Sequence, residues 1–214
     1  MYDVGDSLPV EELEPAAILL TGPAMSGKYE LLLDFVIEAG DHGEGSLFVT
    51  TNESAGGILS DIEDRVGEIP GALRLVDCVS EQQAAGDQFP EERVEYVNSP
   101  GDVTGLGIGV TEQLRRFAEG GTERNRIVFH SLSTLLMYSE IETVFRFLHV
   151  LTGRIDSVDG IGLFTLDPTT HEEGDVNTLR QLFDGEIEIR EGEDGRELQF
   201  SGLSDTPGGW VPYD

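Results

Sequence analysis

The chain has 214 residues, with 42 Asp and Glu against 13 Lys and Arg, for a formal net charge of −29. That length allows one domain with a substantial core, and the recurrent aliphatic runs exclude a disordered chain. No apolar run reaches the roughly 20 residues of a bilayer span, the acidic opening "MYDVGDSLPVEELEP" is unlike a signal peptide, and a single cysteine, Cys78, excludes an internal disulfide or a cysteine-based zinc site. The expectation is a cytoplasmic protein with no membrane partner. Acid is spread along the whole chain rather than gathered in a tail. Such a surface repels itself at ordinary ionic strength, and in molar salt, where the Debye length falls to about 3 Å, the penalty largely vanishes. This points to salt adaptation, as in a halophilic archaeon. The alternative is an ordinary acidic protein with an acid-binding partner. Binding to DNA is not expected, because it needs basic groups to displace counterions.

In chain order, residues 1–15 read as an acidic N-terminal segment and residues 16–214 as one domain. "AAILLTG" (Ala16 to Gly22) is a short apolar run ending in glycine, the pattern of a buried strand. "KYELLLDFVIEAG" has helical spacing, with Gly40 as its C-cap. "SLFVTT" (Ser46 to Thr51) is a second strand. "SAGGILSDIEDRVG" is a helix with Ile58, Ile62 and Val66 on one face, and "ALRLVDCV" (Ala72 to Val79) a third strand. Residues 80–108 look irregular, and a helix follows through "TEQLRRFAEGG". "RIVFHSL" (Arg126 to Leu132) and "GIGLFTLD" (Gly160 to Asp167) are a fourth and a fifth strand around the amphipathic helix "SEIETVFRFLHVLTGRI". "DVNTLRQLFDG" is a short helix. "EIEIREGEDGRELQFSG" reads as a hairpin turning at Glu193-Asp194-Gly195, followed by a loop-rich tail. Alternating strands and helices predict an α/β fold, a mostly parallel sheet with helices on both faces and antiparallel strands at one edge.

The stretch Gly22-Pro23-Ala24-Met25-Ser26-Gly27-Lys28-Tyr29 matches a phosphate-binding loop in seven of its eight positions; the eighth should be Ser or Thr. It lies between a buried strand and a helix start. There, glycines let backbone N–H groups curl inward and the helix dipole favours an anion. Lys28 is the only lysine in the chain, beside twelve arginines.

From about Leu13 to the C-terminus the chain resembles the KaiC-like branch of the RecA-like P-loop ATPases, in particular small haloarchaeal KaiC/RecA-like proteins, some called HTR-like, of unassigned function. The resemblance rests on "LLTGPAMSGK", "LFVTTNES", "RIVFHSLSTLL" and "LQFSGLSDTPGGWVPY". It implies a RecA-like P-loop fold, an ancestral role in binding ATP between subunits, and self-association. It also implies what has been lost. The residue after the loop lysine should give Mg²⁺ a hydroxyl, and Tyr29 is too long for that slot. The fourth strand should end in an Asp that holds Mg²⁺ through water, and His130 stands there, a poor ligand for a hard cation. Of two acids expected after the second strand, Asn52-Glu53 keeps one. Two basic residues expected on a late strand align with Gln199 and Ser201. Phosphoryl transfer depends on positioning and charge stabilisation, so the expectation is ATP or ADP bound by Gly22 to Tyr29 beside His130, with Mg²⁺ not held in the usual way and little or no hydrolysis. Two alternatives stay open: a weak ATPase with Glu53 as base, and an interaction scaffold that binds no nucleotide but a protein partner or a second copy.

Other features carry bland readings. "GLGIG" (Gly105 to Gly109) fails as a dinucleotide fingerprint because Val110 takes the third glycine position; a turn before a helix, or a segment lining the cleft, is expected. His171-Glu172-Glu173 lacks a second histidine for a metal site. His149 lies in an apolar helix. Arg115-Arg116 is expected to pair with nearby carboxylates. Asn52-Glu53-Ser54 matches a glycosylation pattern that a cytoplasmic protein would not use.

Overall fold

The computed structural model describes residues 1–80, 89, 93–193 and 195–213. Asp194 of the expected hairpin turn, and residues 81–88 and 90–92 of the segment expected to be irregular, lie outside these. The elements are β1 (Tyr2–Asp3), β2 (Glu12–Leu13), β3 (Ala17–Thr21), α1 (Lys28–Asp41), β4 (Gly45–Thr50), α2 (Ala55–Val66), β5 (Leu73–Asp77), β6 (Val94–Tyr96), α3 (Val103–Glu119), β7 (Asn125–His130), α4 (Leu132–Tyr138), α5 (Ile141–Ser157), β8 (Ile161–Leu166), α6 (Glu173–Arg180), β9 (Gly185–Glu191), β10 (Arg196–Ser201) and β11 (Val211–Tyr213). Among the described residues β1 and β2 pair with each other. The other strands form one sheet in the order β11-β10-β9-β3-β8-β7-β4-β5-β6. From β9 to β6 every pairing is parallel, and β10 and β11 close one edge antiparallel. This is the mostly parallel α/β architecture with a C-terminal hairpin that the alternation predicts.

The strand period of two divides the core between the sheet's faces. On β3, Ile18 and Leu20 point to one side, where α1 and α2 supply Leu32, Phe35, Ile58 and Ile62. Ala17 and Leu19 point to the other, where α3, α4, α5 and α6 supply Leu106, Leu135, Leu148 and Leu179. Residues 1–15 contribute Tyr2, Val4, Leu8 and Leu13 to the first of these cores. They are tied down further by fully buried Arg126 of β7. Its guanidinium pairs with Glu38 Oε2 at 2.8 Å and Glu44 Oε2 at 2.7 Å and donates to the Asp3 carbonyl. Ser7 Oγ and the Asp6 N–H donate to the same Glu38 carboxylate.

Four local expectations differ from the structure. Helix α1 runs through Gly40 to Asp41, and the left-handed residue beyond it is Gly43, at φ 69°. Val66 is 45% exposed, because the buried stripe of α2 ends at Ile62. Within 80–108, β6 adds a parallel strand to β5. "GLGIG" is neither turn nor cleft lining: it lies inside α3, whose N-cap Asp102 accepts from the Gly105 N–H at 2.8 Å. A Cβ on Gly109 would meet Val76 at 3.1 Å, and one on Gly105 would meet Asp102 at 2.5 Å, so these two glycines allow close approach. Besides the short pair β1 and β2 in residues 1–15, two further elements were not foreseen. They are α4, capped by the Ser131 hydroxyl, and β11 in the tail.

Candidate functional site

The loop between β3 and α1 carries its glycines where no side chain fits. A Cβ on Gly22 would sit 2.5 Å from the Ile189 carbonyl oxygen and 2.9 Å from Ser26 Oγ. Gly27 has φ 98°, in the left-handed region that glycine enters freely. A Cβ there would also strike the Arg196 guanidinium at 2.7 Å. Gly27 is the N-cap of α1, and no side chain caps this helix. The first-turn N–H groups, which have no acceptor within a helix, are therefore left to a ligand or to solvent. Ser26 is buried, Pro23 and Ala24 are exposed, and Met25 stands out at the loop tip with φ 62° and 94% exposure. Lys28 folds back on the loop. Its Nζ donates to the carbonyls of Gly22 and Pro23, both at 2.6 Å, and lies 3.4 Å from Ser26 Oγ. Burial lowers the Lys28 pKa, and the charges of Asp167 and Glu30 oppose that shift.

A cleft of about 350 Å³ opens beside the loop, at the carboxyl ends of β4, β7 and β8. Open parallel α/β sheets bind ligands at such an edge. The structure brings Ala24, Met25, Gly27, Lys28, Tyr29, Asn52, Glu53 and His130 together here, with Glu30, Ser131, Ser133, Thr165 and Asp167. Gly22 and Ser26 hold the loop from behind. The turn after β4 is fixed by Thr50, whose hydroxyl accepts from the Glu53 N–H at 3.0 Å and donates to the Glu53 carbonyl at 2.7 Å. His130 Nδ1 lies 3.0 Å from Thr165 Oγ1, which is itself 3.3 Å from the Phe129 carbonyl. With the Thr165 proton given to that carbonyl, Nδ1–H is the donor and Nε2 keeps its lone pair. Burial first, then the Lys28 charge, pushes the His130 pKa down to about 4, so the ring is neutral at pH 7.

Tyr29 carries its phenol from the start of α1 across to α2. Its ring tilts against His130 at 5.3 Å and meets Phe48 edge-on at 6.4 Å, and its phenol donates to Asp61 Oδ2 of α2 at 2.7 Å. Burial and the Asp61 carboxylate both raise its pKa. A phosphate group fits the uncapped helix start and the lysine beside it. A divalent cation does not fit at position 29: the only side-chain oxygen there is bonded to Asp61, and the next position round the cleft offers an imidazole nitrogen, a poor ligand for a hard, oxygen-preferring cation. Among the described residues the one convergence of metal-capable side chains is Asp3, Glu38 and His42. It lies at the far end of α1, about 20 Å of helix from the loop, and its Glu38 carboxylate is already taken up by Arg126, Ser7 and Asp6.

Several expectations can be placed. Gln199 and Ser201 lie on β10 and do not line the cleft. Arg196, at the start of that strand and not singled out in the sequence, packs its guanidinium over Gly27. Asp167 and Thr165 were also missed, and only their positions at the end of β8 could have signalled them; Asp61, in the middle of α2, carried no signal. Arg115 and Arg116 pair with Glu112, as expected. His149 is exposed on α5 and stacks on Phe145.

A family model described as a family of unknown function, DUF7504, matches residues 15–189. The chain belongs to that family. No curated protein matches the sequence. Among solved structures, the DUF7504 chain is similar to the KaiC-like protein PH0186 of the hyperthermophilic archaeon Pyrococcus horikoshii OT3. The TM-score is 0.61 and the identity 16%, over 92% of this chain and 83% of that one. It is also similar to the uncharacterized protein PH0321 of Pyrococcus horikoshii, solved in complex with an unknown peptide. There the TM-score is 0.66 and the identity 12%, over 89% and 84% of the two chains. At such identities the likeness establishes a shared KaiC-like RecA fold, and function has to be argued from the cleft. No helix of the described residues is long and apolar enough to cross a membrane.

Proposed function

We propose that this DUF7504 protein is a degenerate KaiC/RecA-like P-loop protein that binds the phosphates of ATP or ADP without efficient turnover and acts as a regulatory or signalling module. The Tyr29 phenol, turned away to Asp61 at 2.7 Å, carries the reading. It removes the hydroxyl a metal would need and leaves the glycine cradle and Lys28 intact. With His130 neutral and held by Thr165, the cleft lacks the charge stabilisation on which phosphoryl transfer depends. The evenly spread charge of −29 supports a salt-rich cytoplasm, as in a haloarchaeon. A second reading, an interaction scaffold with an empty loop, is favoured by one observation: the Lys28 ammonium is already satisfied by two loop carbonyls.

Calorimetric titration with ATP and ADP in molar salt, with and without Mg²⁺, separates these readings. The expected result is saturable binding that Lys28→Ala abolishes and Mg²⁺ does not strengthen, with no phosphate released over hours. Absence of any heat or any shift in melting temperature assigns the scaffold, since a ligand that binds only the native state must stabilise it. Steady phosphate release that Glu53→Gln removes while binding persists overturns the proposal in favour of a weak ATPase.

A further inference from the structure

The glycine-rich start of α3 leaves one residue without a packing reason. Gly105 and Gly109 face close neighbours, but a Cβ on Gly107 would meet only Phe147 Cε2, at 4.0 Å. A glycine inside a helix is less favourable than an alanine. Here it keeps open a groove of about 440 Å³ between α3 and α5, far from the loop lysine in sequence and lined by other residues than the cleft. The groove's walls are apolar and wet: Ile108 is 63% exposed and Val150 is 56% exposed. On α5, Thr143, Phe147, Val150 and Arg154 recur at helical spacing and form one face.

The charges beside this groove run against the rest of the molecule. Most arginines of this acidic chain have a carboxylate partner, as with Arg65, Arg115, Arg124, Arg126, Arg180 and Arg190. Both arginines of α5, Arg146 and Arg154, form no ion pair among the described residues. Arg154 reaches across the groove to the Thr111 hydroxyl, and Arg146 bonds the Glu142 carbonyl and the Thr143 hydroxyl. The groove's own carboxylate, Glu112, is engaged by Arg115 and Arg116. Among the described residues, Arg154 thus stands at the exposed apolar trough without a carboxylate partner, while Arg146 lies on the side of α5 that faces Asp175 and Thr178.

We infer that the α3/α5 groove is a docking site for an acidic amphipathic helix of a partner protein, which seats an apolar side chain over Gly107 between Ile108 and Val150 and offers a carboxylate to Arg154. Apolar faces laid in grooves are read through anchors at helical spacing. Arg154 lies four residues beyond Val150 on α5, so about 6 Å of helix rise, roughly one turn of the partner, separates that carboxylate from the apolar anchor. The Arg154 guanidinium repels basic competitors, the usual role of charge at an interface.

The test uses the full chain and fluorescein-labelled synthetic 16-residue peptides, followed by anisotropy at moderate salt. One peptide presents a leucine face flanked by glutamates one turn from the central leucine; a second keeps the leucines and replaces each glutamate by lysine. The expected result is saturable binding of the first and at least tenfold weaker binding of the second. Arg154→Glu weakens the first at least tenfold, and so does Gly107→Leu, which fills the trough while improving helix propensity and so does not threaten folding. Lys28→Ala leaves it unchanged, which separates this surface from the nucleotide cleft. Absence of saturable binding, equal affinity for the two peptides, or insensitivity to both groove variants overturns the inference. Sedimentation as a dimer that Gly107→Leu dissociates also overturns it, by giving the groove to a second copy.

Discussion

Replacing Tyr29 by threonine restores a short hydroxyl at the end of the loop, and its cost and its gain can both be estimated. The phenol gives up its bond to Asp61 at 2.7 Å. A hydrogen bond to a charged group is worth about 1.5–3 kcal/mol, and the exposure of Asp61 reduces this to about 1 kcal/mol. The ring also loses its contacts with His130 and Phe48, each worth about 0.5–1.5 kcal/mol. Together these amount to about 3 kcal/mol, which in a domain of this size lowers Tm by roughly 6–12 °C. If the phenol is what bars the metal, ATP with Mg²⁺ then restores part of the loss. At a hundredfold excess over Kd the gain is about 2.7 kcal/mol, or roughly 5–10 °C. Differential scanning fluorimetry with ATP, ATP plus Mg²⁺, and Mg²⁺ alone reads both effects. Tyr29→Phe, which keeps the ring and loses only the Asp61 bond, should gain nothing from Mg²⁺. An equal Mg²⁺-dependent shift in the wild-type protein would refute the argument that Tyr29 excludes the cation.

Two further outcomes follow from buried charge. Arg126→Met leaves Glu38 and Glu44 buried without their cation, which costs about 3–5 kcal/mol and frees residues 1–15; urea unfolding that moves by less than about 1 kcal/mol would contradict the role given to this arginine. His130, with its folded pKa near 4 against an ordinary 6.5, takes up its proton more readily unfolded. Stability therefore falls as pH drops below about 6.5, by about 2 kcal/mol at pH 5 and about 3 kcal/mol by pH 4. Denaturant midpoints at pH 7 and pH 5 should differ less in His130→Gln than in the wild type by that amount.

The strands legible in the sequence were those whose side chains carry the signal. Ile18 to Leu20 and Leu47 to Val49 are buried on both sheet faces, so they form unbroken apolar runs, and Thr165 alone interrupts the run from Leu163 to Leu166. Strand β6 was not legible. Val94, Glu95 and Tyr96 are extended because β5 offers them hydrogen bonds, and nothing in three mixed residues announces it. Helix α3 was misread at its start because glycine disfavours helix; its glycines answer to the nearness of Val76 and Asp102, which is a fact of packing. The loop was readable because its glycine spacing is local. Its surroundings were not: Asp61 lies 32 residues from Tyr29, and Thr165 lies 35 from His130. The pairings that decide the chemistry of the cleft are set by which strands end side by side.

The cleft also sets the strength of any phosphate binding. The three N–H donors of Lys28 are taken by the carbonyls of Gly22 and Pro23 and approached by Ser26 Oγ. A phosphate has to displace neutral acceptors, and it offers charge-assisted bonds roughly twice as strong, so the exchange itself is favourable. Around that one ammonium stand Glu30, Glu53 and Asp167, with His130 neutral. Each carboxylate opposes each added phosphate charge, and no bound cation offsets them at position 29. Salt screens this opposition more than it screens the short contacts to Lys28. Nucleotide affinity in this cleft should therefore rise with ionic strength, the reverse of an ordinary phosphate site, and ADP, with less charge, should lose less than ATP when salt is removed. Titrations of both nucleotides from 0.2 to 2 M KCl measure this. An affinity that falls steadily with salt would mean that the cations at the loop, Lys28 and Arg196, and not the surrounding acids, govern the site.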